Sequence, residues 1–177
     1  AYGAQPLDSL QGPIEQVLGI LKAPQYQDVA QKDRQREEIW GIVQKAFDFA
    51  ETSKRTLGRH WKRFNPQERE EFTHVFTELL GRTYIDKMTG EYQEVEIVYL
   101  GQKMVTDSKA VVKTKILRND AEIPADYGML SRNGTWKIYD VKIEGVSLVK
   151  NYRSQFKQIL FKESPAQLIE RLKKKVK

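Results

Sequence analysis

The chain has 177 residues, 40% of them hydrophobic and 31% charged, with a formal net charge of +6. That is the length of one domain with enough apolar content for a core, which excludes intrinsic disorder, and no apolar run is long enough to span a bilayer. Cysteine is absent, which removes disulfides, thiolate zinc sites and cysteine nucleophiles together.

Residues 6–22 predict a first helix, with Ile14, Val17, Leu18 and Leu21 at helical spacing and a break at Ala23-Pro24. From Asp28 to about Ser53, Ile39, Trp40, Val43, Ala46, Phe47 and Ala50 keep a 3.6-residue period. Asn65-Pro66-Gln67-Glu68 is a helix start, with Asn as N-cap, Pro in the first turn and Glu at the capping-box position. The helix it opens carries Phe72, Val75, Phe76, Leu79, Leu80 and Tyr84 on one side.

The period then changes to two. Residues 93–100, 108–118, 121–131 and 135–143 predict four strands, and Asn119-Asp120 and Asn133-Gly134 suit two-residue hairpin turns. Such short connections make an antiparallel meander, and strands this long accumulate twist until the sheet coils. After Gly145 the chain turns helical again, with Leu148, Val149, Tyr152, Phe156, Ile159 and Leu160 in one stripe beside a ridge of Lys150, Arg153 and Lys157. Ser164-Pro165 caps a last helix bearing Leu168, Ile169 and Leu172. The predicted fold class is α+β, a coiled four-stranded antiparallel sheet packed by helices on one face. A single domain covers 1–177, with helices at about 6–86, the sheet at about 93–143 and helices at about 146–175. This shape is a half-open cone suited to a cavity.

Charge is uneven. Residues 150–177 carry nine basic and two acidic residues, whereas the first 149 carry 21 and 22. A basic C-terminal helix fits contact with an anionic surface, phosphate headgroups included, or a simply solvated face. Aromatic residues are not interleaved with the bases as in nucleic-acid stacking platforms, so no nucleic-acid partner is expected.

No familiar catalytic motif occurs. His60 and His74 lack further ligands at metal-like spacing, so no metal site is expected. The one enzyme-like reading is a pocket carboxylate acting as base, as in ketosteroid isomerase. Asp126 alternates against the inward Ala125 and Tyr127; Asp140, in phase with Trp136 and Ile138, is the better candidate. Its bland alternative is an ion pair at the strand end.

Large apolar side chains stand on both sides of the cone, and composition alone does not distinguish a filled cone from a hollow one. The run WKIYDVKIEGVSLVKNYRSQF (136–156) resembles the signature of the MlaC family, the toluene-tolerance or phospholipid-binding shuttle proteins. TLGRHWKRFNPQEREEF (56–72), FTELLGRTYIDKMTGEYQ (76–93) and IPADYGML (123–130) are similar to further family stretches in the same order. The resemblance covers most of the chain.

It implies an NTF2-like cone and a non-enzymatic phospholipid carrier without cofactor, with a glycerophospholipid as ligand. Such a carrier works as a monomer in the periplasm of a Gram-negative bacterium, after signal-peptide cleavage, and helps maintain outer-membrane lipid asymmetry. Its partners would be an outer-membrane lipoprotein–porin complex and an inner-membrane ABC transporter with an MCE-domain subunit. The start AYGAQPLDSL, without initiator Met, is compatible with such processing and equally with an artificial start. The expected lining is Trp40, Phe47, Phe72, Phe76, Leu79 and Tyr84 from the helices. Val112, Ile116, Tyr127 and Tyr139 would come from the sheet, and Val149, Tyr152 and Phe156 from the closing helix. Arg153 would either meet a headgroup phosphate or pair with Asp140 or Glu144. Tyr139 alternates against Trp136, so the two do not fit one face of a regular strand.

Overall fold

The computed structural model describes residues 3–92 and 94–177. Gln93, where the first predicted strand begins, and residues 1–2 of the 1–177 domain reading lie outside the described residues.

Helix α1 (Pro6–Lys22) ends where Ala23 turns extended ahead of Pro24, the conformation a following proline imposes. Two short 3-10 turns (Pro24–Gln27, Val29–Gln31) lead into α2 (Lys32–Ala46). The 3.6-residue period of the sequence hides a break. Phe47 is extended and forms a parallel bridge to Ile138, and the Asp48 N–H donates to the Ile138 carbonyl at 2.8 Å. The Asp48 carboxylate then accepts from the Glu51 N–H and opens a separate helix, α3 (Phe49–Leu57). A 3-10 segment (Gly58–Arg63) follows, then the 26-residue α4 (Pro66–Glu91). The capping box expected at Asn65 and Glu68 closes in both directions, at 2.8 and 2.9 Å.

The meander comprises β1 (Glu96–Thr106), β2 (Lys109–Arg118), β3 (Ala121–Arg132) and β4 (Thr135–Ile143). A two-residue strand β5 (Val146–Ser147), absent from the sequence reading, pairs antiparallel with β4, so the sheet has five strands in sequential order. Asn119, Asp120, Asn133 and Gly134 hold the positive φ expected of them, and Glu144-Gly145 makes a third such turn into β5. α5 (Leu148–Lys162) and α6 (Pro165–Lys175) complete the α+β fold. No helix among the described residues is long and apolar enough to cross a membrane.

One irregularity resolves the conflict on β4. Gly128 pairs with Asp140 and Met129 with Ile138, leaving Tyr139 as the extra residue of a β-bulge. The bulge changes phase, so Ile138 and Val141 both join the cavity wall despite their odd spacing. Asp140 falls opposite Gly128, out of phase with Trp136 and Ile138 rather than in phase with them. Gly128 is required there, because a Cβ would come within 3.0 Å of the Tyr139 ring.

Three apolar clusters hold the layers. Phe72, Phe76, Phe156 and Leu168 join α4, α5 and α6. Leu10 of α1 packs on Val112, Met129, Trp136 and Ile138 of the sheet. Leu21, Ile39 and Ile85 join α1, α2 and α4. The start of α1 is tied to the sheet by Trp136 Nε1 donating to the Ala4 carbonyl, and by Gln102, whose Oε1 accepts from the Leu7 N–H.

Candidate functional site

Between α1, α2 and α4 on one side and the sheet on the other lies a cavity of about 470 Å³. α1 contributes Leu10, Ile14, Val17 and Leu18; α2 contributes Trp40 and Val43; α4 contributes Tyr84, Ile85 and Met88. Ile97, Ile116, Tyr127 and Val141 form the sheet wall. Near the start of α5, the half-exposed Ile143 and Val146 belong to the same lining. The chamber is overwhelmingly aliphatic and aromatic, lies within the size range of small-molecule sites, and suits a chain-like apolar ligand.

Of the expected lining, Trp40, Phe47, Tyr84, Ile116, Tyr127 and Tyr139 bound this cavity. The others lie elsewhere. Phe72, Phe76 and Phe156 interlock as rings 5.4–5.6 Å apart, with Tyr152 5.0 Å from Phe76 and Leu79 against the same helical cluster. Val112 is fully buried in the cluster beneath α1, and Val149 is buried at the start of α5. The sequence reading missed α1 as a wall altogether. The stripe Ile14, Val17, Leu18 and Leu21 was its visible signal.

Among the described lining residues, Lys87 and Asp140 carry charge. Asp140 does not pair with a base. One carboxylate oxygen accepts from the Ser147 hydroxyl at 2.6 Å and the other from the Val149 N–H at 3.0 Å, at the N-terminus of α5, where a negative charge complements the helix dipole. Its geometry is that of a helix anchor. Asp140→Ala should therefore destabilise the fold by about 1–2 kcal/mol while leaving bound ligand unchanged, as denaturant melts and ligand stoichiometry would show. Loss of ligand in the folded variant would instead place the carboxylate in the binding site.

Arg153 is not in the lining. Its Nε donates to the Arg55 carbonyl at 2.8 Å and it takes neither Asp140 nor Glu144. Burial pushes the Tyr127 hydroxyl up to about 12, so it stays neutral within the apolar wall. His60 faces Arg63 at 3.4 Å and His74 is exposed. Among the described residues no group of three or more His, Asp or Glu is placed to hold a metal.

Gly81 sets the shape of the chamber. A Cβ there would lie 2.9 Å from the Trp40 indole, so the helices approach this closely only with glycine. Gly81→Ala should push the indole into the chamber, cost about 1–3 kcal/mol and lower the amount of ligand carried. An unchanged ligand load would show that Trp40 relaxes elsewhere.

Comparison with known proteins gives a consistent family. The family model described as MlaC protein matches residues 11–174. Toluene tolerance protein ttg2D of Pseudomonas putida is 25% identical over 153 residues, covering 85% of this chain and 71% of that protein. The intermembrane phospholipid transport system binding protein MlaC of Haemophilus influenzae is 24% identical over 123 residues, 67% of this chain and 57% of that protein. Among solved structures, a phospholipid-binding protein of Ralstonia solanacearum, in complex with a phospholipid, has a TM-score of 0.84 at 22% identity. It spans 98% of this chain and 97% of that one; at this identity the likeness is one of fold.

Proposed function

The chain belongs to the MlaC protein family, and from that premise we propose that it is a phospholipid carrier that works without catalysis, acyl chains inside its cavity and headgroup at the rim. The observation that carries this reading is the apolar chamber of about 470 Å³ between the helices and the sheet. Two acyl chains hold roughly 30 methylenes, worth about 25 kcal/mol of exposure to water, so a soluble carrier has to offer them a comparable apolar surface. Lys87 is the cation among the described lining residues available to a phosphate, one of the two roles expected of Arg153.

The carrier operates in the periplasm of a Gram-negative envelope as a monomer, after removal of a signal peptide. It exchanges lipid with an outer-membrane lipoprotein–porin complex and with an inner-membrane ABC transporter bearing an MCE-domain subunit, and so helps maintain outer-membrane lipid asymmetry. The names of the two relatives and the phospholipid bound to the Ralstonia protein support this reading. Native mass spectrometry after detergent-free purification, followed by solvent extraction, tests the first step. A mass excess matching phospholipid is expected. A clean polypeptide mass that stays unchanged after incubation with phospholipid vesicles would overturn the proposal.

A further inference from the structure

The charge asymmetry of the sequence takes a different form in three dimensions. On α6, Lys173 is neutralised by Glu71 and Glu170, so the C-terminal lysines are not all free. Beyond the exposed Lys174, Lys175 and Lys177, unbalanced charge lies on two other segments. Between Glu51 and Glu68 the chain has no acidic residue, and there Lys54, Arg59 and Lys62 are exposed. Between Glu144 and Glu163 it again has none, and there Lys150, Arg153, Lys157 and Lys162 are exposed.

The fold brings these two segments together. Arg153 donates to the Arg55 carbonyl of α3, and Arg63 donates to the Leu160 carbonyl of α5 at 2.7 Å. Two of the bordering carboxylates are engaged by cations, Glu51 by Arg55 and Arg132 and Glu163 by Arg171. His60 reports the field: burial, then Arg63, Arg59 and Lys157, hold its imidazole below the usual histidine range. Lys150, Arg153 and Lys157 follow one another on one face over about 11 Å of α5, with Lys162 beside that face at the helix end. Phe161 stands out of it 85% exposed, one turn from Lys157 and next to Lys162.

We propose that this face of α3, the 58–63 turn and α5 docks on the surface of an anionic lipid bilayer, with Phe161 entering the interface. Lysine predominates among the free cations, and lysine is depleted from protein–protein interfaces. A basic helical face with a protruding aromatic ring is instead the composition that binds lipid headgroups. The inference is independent of the cavity and goes beyond the carrier reading.

Vesicle flotation tests it, comparing phosphatidylcholine alone with phosphatidylcholine containing phosphatidylglycerol, at low and high salt. The wild-type chain should float only with the anionic vesicles and be released by salt. Binding should weaken about fivefold for each cation removed in Lys157→Gln and in Lys157→Gln with Lys162→Gln. Phe161→Ser should weaken it about tenfold. A charge-matched control, Lys45→Gln with Lys103→Gln, should retain binding, and circular dichroism should show every variant folded. Equal binding to both vesicle types, or an equal loss in the control, would overturn the proposal. So would capture on polyglutamate without vesicle binding, which would assign the face to an acidic protein. A variant with its cavity plugged, Ile116→Trp, should float like the wild type, so failure of the carrier reading leaves this result readable.

Discussion

Ile116→Trp is expected to reduce co-purifying phospholipid about tenfold while the protein remains folded. Ile116 on β2 pairs with Ile97 of β1 and Ile123 of β3 and lines the cavity, so the indole has open volume to enter. Val112, four residues earlier on the same face of β2, provides the contrast. It is fully buried beneath Leu10, with Ala110, Met129 and Ile138 around it. Val112→Trp would overpack that contact at a cost of about 1–3 kcal/mol or more, lowering stability without first closing the chamber. Native mass spectra and melting curves of the two variants separate these effects. Full lipid stoichiometry in folded Ile116→Trp would show that the ligand lies elsewhere.

Phe72→Ala should have the reverse profile. The Phe72 ring is completely buried, stacked on Phe76 at 5.5 Å and met edge-on by Phe64 at 5.7 Å and Phe156 at 5.6 Å. Deleting it should cost about 3–5 kcal/mol, or roughly 10 °C in melting temperature for a chain of this size. At a temperature where the variant is folded, its lipid content should match the wild type, because Phe72 does not touch the chamber. Lost lipid in well-folded Phe72→Ala would return this cluster to the binding site.

A comparison of Phe72 with Trp40 marks where sequence reasoning stops. Trp40 and Phe72 are both aromatic, both on the inner stripe of a helix and both at core-like spacing. Periodicity tells that a side chain faces inward; it does not tell whether a neighbouring helix or open space meets it there. The deciding contacts are long-range, such as α6 packing Leu168 against the Phe72 cluster. The meander was legible because Asn119-Asp120 and Asn133-Gly134 have few other uses. The same logic applied to Glu144-Gly145 would have found β5, although two residues offer no alternation to confirm a strand. The break at Phe47-Asp48 was hidden because bridging to β4 leaves the surrounding helical period intact. The bulge at Tyr139 had a trace in the sequence, since Trp136 and Tyr139 did not fit one face of a regular strand.

If the protein is the carrier proposed above, the interlocked rings of Phe72, Phe76 and Phe156 bear on how it would complete a round trip. Each delivery removes the cargo that had covered the chamber walls, and a fold whose cohesion depended on that cargo would loosen at the moment of release. Here much of the cohesion resides in rings that do not line the chamber. On the proposed carrier function the return journey could therefore be made unloaded, and the affinity for lipid would be free to be as weak as handover to an acceptor requires.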